Sequence, residues 1–201
     1  MHKLWTLFVP FTLSFIGCGG AAVVAPPPAD VPTEAGDKTT SLPAVGPTDG
    51  VACVGTIDAL PDGAKEVTDE PFAQAAIDAT GKGKLCMARV FEALKPLKVY
   101  RVWNSQKTYT EFGSWWSFAK PVGPVETYRE QNAICPEWSD LDRVTVCEIK
   151  VGARFAVGPG QSAACETAKY EKSAVNQVFI PNDTRENRVF VEHCEQLGAF
   201  P

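Results

Sequence analysis

The sequence predicts an α+β domain: a mainly antiparallel sheet with N-terminal helices, stapled by disulfides. Three observations predict it. Helix-like apolar spacing occupies residues 68 to 94, and strand-like runs cluster later, above all between Val144 and Val191. Helices and strands segregated along a chain point to α+β rather than to an alternating α/β order. Six cysteines (Cys53, Cys86, Cys135, Cys147, Cys165 and Cys194) lie in the same region, an even set of the kind that pairs in exported chains.

Composition sets the bounds. At 201 residues the chain fits one domain with an appendage. A net charge of -5 argues against a nucleic-acid partner, which would favour a basic face, and against a polybasic membrane-surface protein. Histidine is confined to His2 and His193, so a His-rich metal site is not available and no metal is expected. A Ser-His-Asp or Cys-His catalyst would have to use His193, beside Cys194, where nothing else reads as a nucleophile site.

The first 50 residues read as an address and a tether. Residues 1–17 combine an early Lys3 with an apolar run from Leu4 to Ile16, too short to span a bilayer and interrupted by Pro10. That is the pattern of a signal peptide. Phe15-Ile16-Gly17-Cys18-Gly19-Gly20 follows and resembles the lipobox of bacterial lipoproteins, in which the cysteine becomes the lipidated first residue. The resemblance implies lipid on Cys18, attachment to a membrane, and a place in the bacterial cell envelope, at the outer membrane or cell surface. It also leaves six cysteines for three disulfides, with about 15 connectivities open. Residues 18–50 are rich in Pro, Ala, Gly and Thr and lack aromatic side chains, so they are expected to form a disordered tether. The folded domain is expected over residues 51–201.

Within that domain, Val51 to Ile57 suggests a short strand held by Cys53. Thr68-Asp69-Glu70-Pro71 carries helix-start chemistry, a capping residue followed by an acid and a proline. Phe72, Ala76 and Ala79 recur at helical spacing until Gly81. A second helix is expected over Lys84 to Leu94, with Met87, Val90, Phe91 and Leu94 as its apolar stripe. Leu97 to Trp103 reads as a strand that places Leu97, Val99, Arg101 and Trp103 on one face. Arg101 is then a lone charge among apolar side chains and needs either an internal carboxylate or an anionic ligand. The loop-like Gly113-Ser114-Trp115-Trp116-Ser117-Phe118 is either local core or a wall for a flat ring. Thr127 to Glu130 suggests a short helix.

The later strands follow in order. Val144 to Val151 alternates and is half-buried, and Arg154 to Val157 continues as another strand. Gly158-Pro159-Gly160 is expected to turn sharply and deliver Gln161. A glycine-rich turn lets a ligand approach the backbone, but this one lacks the lysine and spacing of a P-loop. Val175 to Ile180 is the most apolar strand, and Gln177 shares a face with Val175 and Phe179. A buried amide there must bond a neighbour or a ligand. Arg188 to Val191 is expected to return as its hairpin partner.

These motifs resemble the ADP-ribosyltransferase superfamily and its NAD-hydrolysing branches over roughly Val99 to Val191. The carriers are Tyr100-Arg101, the segment Ser114-Trp115-Trp116-Ser117, and a late strand from Tyr170 to Pro181. The resemblance implies NAD as substrate. It implies catalytic roles for Arg101 and Gln177, and ligand contacts by Ser114, Trp115, Trp116 and Tyr170. The superfamily's catalytic glutamate falls at Gln177 and its companion glutamate at Val175. A second likeness, to necrotizing-toxin-type NAD glycohydrolases, rests on Arg129 and on Gln161 after Gly158-Pro159-Gly160. Two functions therefore stand at this stage. One is a lipid-anchored toxin or effector that binds NAD and acts on it as a glycohydrolase or an ADP-ribosyltransferase. The other is a non-catalytic, disulfide-stabilised surface lipoprotein that serves as a binding or structural module.

Overall fold

The computed structural model describes residues 41–201; the expected signal peptide and Cys18 lie outside them. Ten strands carry the fold: β1 (Ala64–Val67), β2 (Arg89–Ala93), β3 (Leu97–Trp103), β4 (Trp115–Trp116), β5 (Arg143–Ile149), β6 (Arg154–Gly160), β7 (Ala163–Ala164), β8 (Lys169–Tyr170), β9 (Ser173–Phe179) and β10 (Val191–Ala199). Two α-helices accompany them, α1 (Glu70–Ala76) and α2 (Val125–Asn132). A five-stranded sheet runs β1-β2-β6-β9-β4, a three-stranded sheet runs β10-β5-β3, and β7 pairs with β8. All of these strand pairings are antiparallel. The α+β class and the disulfide staples are as the sequence predicts.

The two sheets face each other across the main core. Phe91, Phe155, Val157, Val178 and Trp116 from the larger sheet meet Leu97, Val99, Cys147, Ile149 and Val191 from the smaller. Each such side chain contributes roughly 1.5–3 kcal/mol by burial. A disulfide contributes about 2–4 kcal/mol, so packing rather than cross-linking holds the sheets together. The other face of the larger sheet is covered by α1, whose Ala73 and Ala76 pack with Ile77 on Val90 and Ala156. At Ser117 the chain leaves β4 and pairs with Tyr100 of β3 through reciprocal N–H···O bonds of 2.8 Å. That pair joins one sheet to the other.

Several local expectations are corrected. Asp69 caps α1 as expected, accepting from the Phe72 amide at 3.1 Å, with a proline in the first turn. The helix ends at Ala76 rather than near Gly81, because Ile77 turns extended and bridges to Leu85. The expected second helix is strand β2. Both faces of this strand are covered, so Val90 packs toward α1 while its neighbour Phe91 packs toward the second sheet. Adjacent apolar residues on a doubly buried strand mimic helical spacing. Leu94 is exposed and belongs to no core.

Gly158-Pro159-Gly160 is not a turn but the end of β6. A side chain on Gly158 would collide with the Met87 carbonyl, and the Pro159 carbonyl accepts from the Cys86 amide at 2.9 Å. Trp115 and Trp116 pair with Phe179 and Val178 as a short strand rather than standing in a loop. Arg188 bridges only to Asp183, and the strand after it, β10, joins β5 instead of β9.

The folded chain also starts earlier than Val51. Val45 pairs with Ala88 through two N–H···O bonds of 2.8 Å. Asp49 pairs with Lys172 at 2.9 Å, both side chains being about nine-tenths buried. Val51 to Ile57, expected as a strand, crosses the surface without a ladder, fixed by the Cys53–Cys86 disulfide. The other pairs are Cys135–Cys165 and Cys147–Cys194.

Hydrogen bonds from Thr80, from Lys172 and from the Val51 amide hold the Asp49 carboxyl far below its ordinary range. A depressed carboxyl stabilises the fold above the unfolded-state pKa, about 4, and that stability is lost as pH falls through the folded value. Asp49→Asn is therefore expected to lower the melting temperature at neutral pH. It should also show a shallower loss of stability than wild type on acidification below about pH 4. Thermal unfolding followed by circular dichroism across pH measures both. Equal acid slopes would show that Asp49 does not anchor the segment.

Candidate functional site

A cleft of about 400 Å³ opens where the two sheets join. Arg101 of β3, Trp115 and Trp116 of β4 and Gln177 of β9 line it from the sheets. Tyr128 and Asn132 of α2 and the irregular chain at Ala133, Ile134 and Trp138 form one wall. The loop at Lys82 and Lys84 forms another.

Arg101 is held rather than neutralised. Its Nε donates to the Thr110 carbonyl at 2.7 Å and its Nη1 to the Trp115 carbonyl at 2.6 Å. Among the described residues no carboxylate pairs with it, and its Nη2 donates to no protein acceptor. The Nη2 rests against Gly113, where any side chain would overlap the guanidinium. Burial pushes the Arg101 pKa down to about 10, so it stays charged at neutral pH. Burial likewise pushes the neighbouring Tyr128 phenol up to about 12, so it remains a neutral hydrogen-bond donor. Two carbonyl dipoles offset only part of the cost of desolvating this half-buried cation.

The rest of the lining has the same character. Lys82, Lys84 and Arg101 contribute to it, while no Asp or Glu does. Lys84 is tied to Asp78 at 3.3 Å. Three tryptophans contribute to the lining, and the consecutive Trp115 and Trp116 point to opposite faces of β4. Trp116 is buried and donates from Nε1 to the Gly113 carbonyl at 2.7 Å. Trp115 packs on Phe179 with ring centroids 5.2 Å apart. Trp138 is 45% exposed and rests on Gly83, a position with φ +73° that is closed to a Cβ both by its backbone and by the indole. Gln177 is buried, and its Nε2 donates to the Asn132 carbonyl at 3.1 Å. Its Oε1 accepts from no described donor.

Four expected residues thus converge: Arg101, Trp115, Trp116 and Gln177. No protein family, curated protein or solved structure matches the chain.

The other expected site residues lie outside the cleft. Gln161 is fully buried, and its amide is consumed by the fold. Its Nε2 donates to Asp49 and to the Asp78 carbonyl, both at 3.2 Å, and its Oε1 accepts from the Ser162 amide and hydroxyl. Ser114 donates to the Asn182 carbonyl at 3.2 Å. Arg129 is buried on α2, with Nη1 directed to the Cys135 carbonyl at 3.4 Å and Nε 3.8 Å from Glu126. Tyr170 packs against Cys165, Cys135 and Ala163.

Sequence reasoning missed Lys82, Lys84, Tyr128, Asn132 and Trp138. The run Gly81-Lys82-Gly83-Lys84 carried a signal, since alternating glycine and lysine makes a bent cationic turn.

Two outcomes are expected. Gly113→Ala should displace the guanidinium and weaken inorganic pyrophosphate binding by about tenfold or more, as lost charge-assisted hydrogen bonds would. Its melting temperature should fall modestly, since the displaced guanidinium leaves the Thr110 and Trp115 carbonyls, and the protein should still unfold cooperatively. Wild-type affinity should hold across neutral pH, where Arg101 keeps its proton. Calorimetric titration reads both, and unaltered affinity in Gly113→Ala would remove Arg101 from the site.

Proposed function

We propose that the cleft binds NAD and hydrolyses its nicotinamide–ribose bond. The observation that carries this reading is a lining that combines three cationic residues with three tryptophans and holds no carboxylate. Such a site suits a ligand that joins flat rings through an anionic linker. The resemblance of Tyr100-Arg101 and the strand from Tyr170 to Pro181 to NAD-cleaving proteins supports the same ligand.

In this reading the free Nη2 of Arg101 binds the pyrophosphate. Trp115, the less buried of the two β4 tryptophans, flanks the nicotinamide, whose cationic ring is attracted to an indole face. Trp138, between Lys82 and Lys84, receives the adenine end. When the glycosidic bond breaks, its electron pair passes to the ring nitrogen, the nicotinamide leaves neutral, and positive charge develops on the ribose. A water molecule adds to that carbon and releases its proton to solvent. Gln177 is oriented by its bond to the Asn132 carbonyl and offers Oε1 to a ribose hydroxyl or to the water. A glutamine in place of the superfamily's glutamate suits hydrolysis better than activation of a protein acceptor.

The leader sequence and Cys18 extend the proposal to a lipid-anchored protein of the bacterial cell envelope, with a toxin or effector role. The lack of any carboxylate or histidine in the cleft favours one further reading, a module that binds NAD without turnover.

Incubation of the full chain with NAD, followed by chromatography of nicotinamide, separates these. The expected result is release of nicotinamide, with kcat/KM lowered about 100-fold by Arg101→Ala. Gln177→Ala should reduce kcat more than affinity. Binding without release would leave the module. No binding, with Arg101→Ala indistinguishable from wild type, would end the NAD reading.

A further inference from the structure

We propose that the Cys135–Cys165 disulfide is a redox latch on the cleft, so that the site is assembled only where disulfides persist. This inference rests on the ligand reading above and concerns the regulation of the same site.

The two irregular walls of the cleft meet at this bond. The loop at Lys82 is attached to β7: the Gly83 amide donates to the Ser162 carbonyl at 2.9 Å, and the Ala164 amide donates to the Gly81 carbonyl at 2.9 Å. Cys165 follows β7 directly. Its partner Cys135 follows Ala133 and Ile134, which line the opposite wall together with Trp138. The disulfide therefore joins the Lys82–Lys84 wall to the Ala133–Trp138 wall through one covalent link.

Little else joins them. Within the second wall, the Ile134 amide donates back to Arg129 and the Trp138 amide to Cys135, both at 3.0 Å. Among the described residues no backbone hydrogen bond crosses from 133–138 to 163–165. The Glu166 amide donates to Glu137 at 3.0 Å on the surface, and a small cluster of Ala133, Cys135 and Ala163 packs between the walls, with Cys165 and Tyr170 against it. Trp138 rests on Gly83 only while the two walls are held together.

The other disulfides are placed differently. Cys147–Cys194 spans β5 and β10, which a ladder of paired residues already joins. Cys53–Cys86 ties down the segment that also pairs at Val45 and Ala88.

Cys165 is half-buried and within reach of a reductant, while Cys135 is buried. A dithiol reductant of the thioredoxin class attacks one sulfur to form a mixed disulfide. Its second thiol resolves that bond, so the reductant leaves as a disulfide and two electrons and two protons remain as the Cys135 and Cys165 thiols. The wall at 133–138 is then free to move, and a displacement of an ångström in a positioning wall is enough to cost about 100-fold in turnover. A reducing cytosol keeps thiols in that state and an oxidising compartment does not. The chain would then spare the NAD of the cell that makes it and become competent after export.

The test compares wild type, C135S/C165S and C147S/C194S as full-length oxidised proteins. NAD affinity, nicotinamide release and hydrogen exchange of residues 81–84 and 133–138 are measured. The expected result is a loss of about 100-fold in turnover and faster exchange in both walls for C135S/C165S alone. It should still unfold cooperatively, and C147S/C194S should match wild type. Equal turnover and equal exchange in C135S/C165S and wild type would overturn the latch and leave the NAD reading standing. An oxidised wild type that neither binds nor cleaves NAD would overturn that reading, and the latch as its regulator with it. Global unfolding of C135S/C165S and of a second variant, C135A/C165A, would also contradict the proposal, which assigns the bond to the wall and not to the fold.

Discussion

The reciprocal hydrogen bonds between Tyr100 and Ser117 join the two sheets, and the cleft is a consequence of that junction. The pair brings β3 alongside the chain that has just left β4. Arg101 is thereby set next to the Trp115 carbonyl, and both residues of β4 contribute to the cleft. Sheets packed face to face normally close their edges with apolar side chains. Here one strand crosses between sheets and leaves a gap, which α2 and two irregular segments surround. Strong packing on either side of the seam lets the gap persist. Phe155, Ile149 and Val178 are fully buried in the main core, and α1 closes the opposite face of the larger sheet.

An arginine inside such a gap is costly unless something compensates its charge. Two carbonyls compensate it in part. A protein optimised for stability alone would place an acid there, as it does for Arg89 with Glu66 and for Lys172 with Asp49. The contrast between these satisfied pairs and Arg101 is the physical basis for a ligand. An anion bound at Nη2 would supply the missing charge.

Much of the site was legible because two strands betray it. Arg101 and Gln177 each interrupt an apolar pattern, and a polar side chain in such a position must be satisfied by something specific. The strict alternation expected for β3 fails beyond Tyr100. Val102 and Trp103 are both buried, since the strand passes from the space between the sheets into a second small cluster with Leu141 and Phe200. The helix expected over Lys84 to Leu94 was misread for a related reason, since covering both faces of a strand erases its period of two. Gly158-Pro159-Gly160 has turn composition, yet its glycine is required by the close approach of the Met87 carbonyl. Gly81-Lys82-Gly83-Lys84 marked a cationic turn, but where Lys82, Lys84 and Trp138 stand in the fold was beyond local patterns. Their positions depend on contacts distant in sequence, the Gly83 amide on Ser162 and the Cys135–Cys165 bond, and no spacing rule encodes those. Gln161 shows the converse: a conspicuous residue whose four hydrogen bonds all serve the fold.

The most direct measurement is a crystal structure of the protein grown with ADP-ribose, which retains the pyrophosphate and adenine but cannot be cleaved at the nicotinamide bond. The account predicts a pyrophosphate oxygen within hydrogen-bond distance of the Arg101 Nη2 and the adenine ring against Trp138. Ligand bound at another surface, or an empty cleft at saturating ADP-ribose with Arg101 unmoved, would contradict it.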